Sequence, residues 1–275
     1  MTTSTPPRPE LHRLFPGGTA ATAGELPVRL PPGRLVEPEQ GGHPAYWLGD
    51  GPASAEVWGR LHAEHGRTGL WPLLLGGLDL EPDRPWADGE VWPEDPTAID
   101  RHDPAVLLAQ WWSEHVRPDD GDPEQKERSP TAPYGPAWPG RADRGTASWD
   151  PGEHARKWVG VLADDGWRLG LVAAGRGADA LTVSGWGGPA NYAATSEVSA
   201  VVRDWEDRFA ARVVAVGFDA LYLSVAAPPL EPEHALRVAA EHFAFCPDNV
   251  WQGADTLRAY ADLLLGAPIW SFWWD

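Results

Sequence analysis

IWSFWWD, residues 269–275, decides how this chain is read. It places Trp270, Phe272, Trp273 and Trp274 within six positions at a chain end, where a polypeptide normally frays. An aromatic side chain buries about 150–250 Å², worth at most about 4–6 kcal/mol each at about 25 cal/mol per Å². Whole domains are stable by only about 5–15 kcal/mol. Such residues are not left in water, so the segment is expected to be a strand inserted in a sheet, with aromatics packed on both of its faces.

The flanking pattern supplies that sheet. RVVAVG (212–217) and ALYLSVA (220–226) are apolar runs split by a turn around Phe218 and Asp219, the signature of a hairpin. Leu221, Leu223 and Val225 alternate with Tyr222 and Ser224, so one face is core. WRLGLVAAG (167–175) reads as a further strand, and GADALTVSGW (177–186) as a short helix or a second strand, the helix being favoured. A helix opens at Thr195, with Val198, Val201, Val202, Trp205 and Phe209 on one side. Another starts at Pro232, reaches His242 and is ended by Pro247. A shorter one carries Leu257, Tyr260, Ala261 and Leu264 before Gly266 and Pro268. The order strand, helix, strand, strand, helices, strand predicts an α+β fold: a mainly antiparallel, mixed sheet with helices packed on one face.

Farther out, Ser54 caps a helix with Val57, Trp58, Leu61 and His65 at helical spacing. GLWPLLLGG (69–77) reads as a buried strand whose Pro72 favours an edge or a bulge. Asp103 and Pro104 open a helix with Leu107, Leu108, Trp111 and His115 on one stripe. Residues 118–155 hold almost no aliphatic side chain and read as a linker or long loop, parts of which are expected to dock back onto the folded body through Trp138 and Trp149. Residues 1–25 are small, polar and proline-rich, and disorder is expected there. The expected layout is therefore a disordered 1–25, an N-terminal α/β module at 26–117, the linker, and a C-terminal domain at 156–275.

Charge bounds the partners. The chain of 275 residues holds 40 acidic and 22 basic residues, a net charge of −18, with no basic run longer than two. Nucleic acid and acidic membrane surfaces are repelled by such a field. Arginine outnumbers lysine 20 to 2, which looks like the coding bias of a GC-rich bacterium. One cysteine excludes an internal disulfide and a multi-cysteine zinc site. No signal-peptide pattern opens the sequence, and no apolar stretch approaches the ~20 residues of a membrane span, so a cytoplasmic location is expected.

The strings VVRDWEDRFAARVVAVGFDALYLSVAAPP (201–229) and AAPPLEPEHALRVAAEHFAFCPDNVWQG (226–253), with the closing WSFWWD, resemble the bacterial domain-of-unknown-function family 4253 over residues 167–275. GLWPLLL and PWADGE resemble what often precedes this domain in actinobacterial members. The resemblance implies a domain identity and lends no activity and no catalytic residue.

EHFAFCPDNVWQG (241–253) holds the lone Cys246, with His242 four residues before it and Asp248 and Asn249 after a proline. On a helix, His242 and Cys246 would share a face, which permits a Cys–His dyad or, with Asp248, a metal site. Electrostatics oppose the dyad: a helix C-terminus disfavours a thiolate. Zinc would need further ligands that the spacing does not supply. The competing reading makes Cys246 a small buried hydrophobe and Asp248 and Asn249 turn formers.

GWGGPANY (185–192) precedes a helix and could cradle an anion, but it lacks a Walker lysine and a dinucleotide fingerprint, so no cofactor is implied. Asn191 and Tyr192 could line a cleft. Between Asp79 and Asp103 nine acids and two arginines are interleaved with Trp86 and Trp92. Trp86, Glu90, Trp92, Glu94 and Asp95, with Asn191, Tyr192 and Asn249, are the candidate binding residues. Acids steer a basic partner and exposed tryptophans anchor it. The leading expectation is a non-enzymatic, immunity- or inhibitor-like module for a basic protein. A hydrolase or other enzyme with a site around His242, Cys246 and Asp248 and, given seventeen tryptophans, a carbohydrate-binding protein are the alternatives.

Overall fold

The computed structural model of the chain describes residues 9–15, 26–116, 130–163 and 166–275. Its strands are β1 (Gly33–Val36), β2 (Tyr46–Pro52), β3 (Leu70–Leu75), β4 (Arg168–Ala173), β5 (Ala211–Val216), β6 (Ala220–Val225) and β7 (Ile269–Trp273). The helices are α1 (Ala55–Ala63), α2 (His65–Thr68), α3 (Pro104–His115), α4 (Pro151–Leu162), α5 (Gly177–Ser184), α6 (Thr195–Phe209), α7 (Pro232–Phe245) and α8 (Leu257–Leu264). Side chains cap several of them: Ser54, Asp103, Asp150 and Thr256 accept the free amides of α1, α3, α4 and α8.

All seven strands form one sheet in the order β1-β2-β4-β3-β5-β6-β7. Every pairing is antiparallel except β3 with β5. The fold is thus α+β with a mostly antiparallel mixed sheet, and β7 lies in it. Strand β4 runs between β2 and β3, and β3 runs between β4 and β5, so segments from both parts of the chain alternate across one sheet. Pro72 is inside this order, not at an outer edge. Its missing amide is tolerated because the β3–β5 ladder covers only Leu74 and Leu75.

Helices cover both faces, where one covered face was expected. Successive residues of the strands enter different cores: Tyr46 and Leu48 face one, Trp47 the other; Leu73 and Leu75 face one, Leu74 the other. The larger core is closed by α3, α5, α6, α7 and α8, the smaller by α1, α4 and the 3-10 turn Pro9–Leu14. That turn lies within the first 25 residues, expected to lack order, and buries Leu11 and Leu14. Residues 1–8 and 16–25 fall outside the described part.

The expected linker begins outside the described residues too, but its later part is ordered. Trp138 packs against Trp112, with ring centroids 5.5 Å apart, whereas Trp149 stays 64% exposed. Helix α4 starts inside the linker range, on the same Asp-Pro signal that opens α3. Two ion pairs with buried carboxylates fix the helices over the larger core. Glu241, fully buried, accepts from the Trp205 indole, the Ala142 amide and the Arg208 guanidinium, which also bonds Asp204. Glu206 accepts from Arg176 and from the Ala178 amide at the start of α5. Among the described residues no helix is long and apolar enough to cross a membrane.

Candidate functional site

The CPDN turn after α7 meets the outer edge of β7. Cys246 is the helix C-cap, with φ −148° and ψ 86°, because the following proline excludes helical geometry there. Its thiol donates to the Trp273 carbonyl at 3.0 Å. The Asn249 amide donates to the Ser271 carbonyl at 2.7 Å and accepts from the Trp273 amide at 3.4 Å. Asp248 accepts from the Asp275 amide at 3.2 Å. Three side chains of one turn therefore take the place of a neighbouring strand along β7, the outermost strand of its side. Trp270, Phe272 and Trp274 point into the larger core. Trp273, on the opposite face, is 43% exposed, so the aromatics of this strand are not buried on both sides.

This geometry answers the question of a dyad. His242 is fully buried, its ring centroid 4.5–4.9 Å from those of Trp205, Trp270 and Phe272. Its Nδ1 faces the Tyr260 hydroxyl at 3.1 Å, not the thiol. Burial, reinforced by the Arg208 charge, holds its pKa well below the ordinary histidine value. Burial likewise pushes the Cys246 thiol up, out of the range where a thiolate forms. Burial also raises Tyr260. Asp248 is shared by Tyr192, Gln252 and the Asp275 amide. Burial, then the bond to Asp248, pushes Tyr192 up to about 12. Among the described residues no three His, Cys, Asp or Glu side chains gather as a metal site.

The second part of the surface is the acidic segment mounted on the glycine loop. Gly185 ends α5 in the left-handed region, at φ 73°. A Cβ there would lie 2.2 Å from the Pro93 nitrogen, so only glycine admits the backbone of residues 92–93. Gly187 has an ordinary backbone but abuts the Cε3–Cζ3 edge of the Trp92 ring, where a Cβ would sit 2.8 Å from Cζ3. The amides of Trp92 and Glu94 donate to the carbonyls of Gly185 (2.8 Å) and Thr182 (3.1 Å). The glycines of GWGG thus serve close backbone approach. Their neighbour Trp186 is fully buried against Trp274, its Nε1 bonded to the Gly217 carbonyl.

The candidate binding residues divide accordingly. Trp92 is 60% exposed, and Glu94 and Asp95 are exposed beside it. The Asp95 carboxylate caps the 3-10 turn Pro96–Arg101, and bonds from the Thr97 hydroxyl and amide lower its pKa. Trp86 does not belong to the surface. It is buried, its Nε1 donating to Gly76 and its carbonyl accepting the Tyr46 hydroxyl, because the indole is what covers Tyr46 at this end of the sheet. Glu90 is half-buried and paired with Arg84, so its charge is locally neutralised. Asn191 is exposed, Tyr192 is tied to Asp248, and Asn249 is occupied by β7. Trp251, at 43% exposure against His115, joins the same region and was not singled out from sequence. Its position two residues after CPDN was the available signal.

Residues 168–275 match the family model described as Domain of unknown function (DUF4253). The match starts at the first residue of β4 and takes in β7 and the CPDN turn. No curated protein and no solved structure matches the chain.

Proposed function

We propose that this chain, whose C-terminal part belongs to the DUF4253 family, is a cytoplasmic, non-enzymatic module that binds a basic protein, in the manner of an immunity or inhibitor protein. The observation that carries this reading is Trp92: an indole 60% exposed on a backbone pinned to α5, in a chain of net charge −18. A fixed, exposed tryptophan rimmed by carboxylates suits an anchor residue in a charge-steered interface. The hydrolase alternative is disfavoured by a thiol and an imidazole that are both buried and not bonded to each other. A sugar-binding face is disfavoured because most tryptophans fill the cores. Of the exposed ones, no two are in ring contact among the described residues.

The test is capture from the native host on the full-length chain at low and high salt. A basic partner retained at low salt, released at high salt and lost with Trp92→Leu is the expected result. A partner indifferent to salt and to Trp92, or none, overturns the reading.

A further inference from the structure

We propose that Trp92 and Glu94 together receive one cationic side chain of the partner, arginine in preference to lysine; this rests on the binding reading above and specifies its chemistry. The amides of residues 92 and 94 both bond to the α5 end, so the chain repeats every two residues there, as in a strand. Residues two apart in such a segment project to one side, about 6–7 Å apart. The indole and the Glu94 carboxylate are therefore neighbours on the outer side. The Cε3–Cζ3 edge of the indole abuts Gly187, and the side chain is 60% exposed, so ring surface is left open to solvent.

The local charges select the occupant. Glu90 is already paired with Arg84, and Asp95 is engaged by Thr97. Glu94 is exposed, and its carboxylate has no ion-pair partner among the described residues. A cation laid on the open indole surface is attracted by the ring quadrupole. A guanidinium does this while presenting coplanar N–H groups to a carboxylate at the ring edge, which an ammonium cannot do as well. Open ring surface and unpaired acid on one side make a seat for an arginine.

The experiment uses the full chain and three fluorescein-labelled peptides, hexa-arginine, hexa-lysine and hexa-citrulline, followed by anisotropy at physiological salt. Hexa-arginine should bind tightest and hexa-citrulline not measurably. Trp92→Leu should weaken hexa-arginine about 2–5-fold, the equivalent of about 0.5–1 kcal/mol. Glu94→Gln should weaken it similarly and flatten its salt dependence, while Trp149→Leu, at another exposed tryptophan, should leave it unchanged. Gly187→Val, which lifts the ring without changing Trp92 or Glu94, should act like Trp92→Leu. Equal binding by wild type and Trp92→Leu, equal losses at Trp92 and Trp149, or no binding of hexa-arginine overturns the proposal. If that happens while a basic partner is still captured in a salt-dependent way, the arginine seat falls and the binding module stands. If no basic partner is captured, the functional reading itself falls.

Discussion

Of the buried histidines, His62 and His242 lie deepest and make the fold sensitive to acid. His62 is stacked on Trp58 at 4.7 Å, edge-on to Trp71, and its Nε2 is buried without a partner. Burial, then the neighbouring His65 and Arg212, lowers its pKa to about 3. His242 is lowered for the same first reason. In the unfolded chain each titrates near about 6.5. The folded state binds fewer protons, so the stability these groups contribute is complete above that pH and is lost as pH falls. The slope approaches about 1.4 kcal/mol per pH unit for each. Urea midpoints should thus drop between pH 7 and 5, before most carboxylates titrate, and His62→Phe should flatten part of that drop. An unchanged slope in His62→Phe would mean that this imidazole is not held neutral. At this scale sequence was a poor guide. Trp86 and Trp92 both sit among acids and prolines, and only the distant Tyr46, Gly76 and Gly187 decide which is core and which is surface.

Elements with strong periodicity were legible: the β5–β6 hairpin, α6 and α7 follow the alternation and helical spacing of their apolar residues. Strands β1 and β2 were not read at all, because GRLV and YWLGDGP are short and glycine-bearing and gain their stability from neighbours. The strand-like role of the CPDN turn was invisible for another reason: it depends on where β7 ends up. It also makes the firmest prediction for an element. Asn249→Ala removes the side-chain bonds to Ser271, Trp273 and Tyr260 while keeping the turn. At about 1 kcal/mol per bond, discounted for half-burial, the expected loss is about 2 kcal/mol. Hydrogen exchange of this variant should show the Trp273 amide opening well ahead of Leu221 and Leu223. Uniform exchange across β6 and β7 would show that the turn does not hold the edge.

At the scale of the molecule, the matched region is not a sheet by itself. Without residues 1–167, β4 loses both of its neighbours, and β5 loses β3. A 168–275 fragment should therefore lack cooperative unfolding, and adding the 1–167 fragment in trans should restore it. A cooperative 168–275 fragment with dispersed amide resonances would contradict this. The interleaving also governs how the chain reaches its native state. LWPLLL, buried along its whole length in the finished protein, pairs with Arg168–Ala173 and then with Ala215 and Val216. On a ribosome it emerges long before either partner has been made, so this greasy hexapeptide waits unsheltered through much of synthesis. The steering of newborn chains away from clumping should rest on that interval, and holding chaperones should be found on the nascent amino-terminal half.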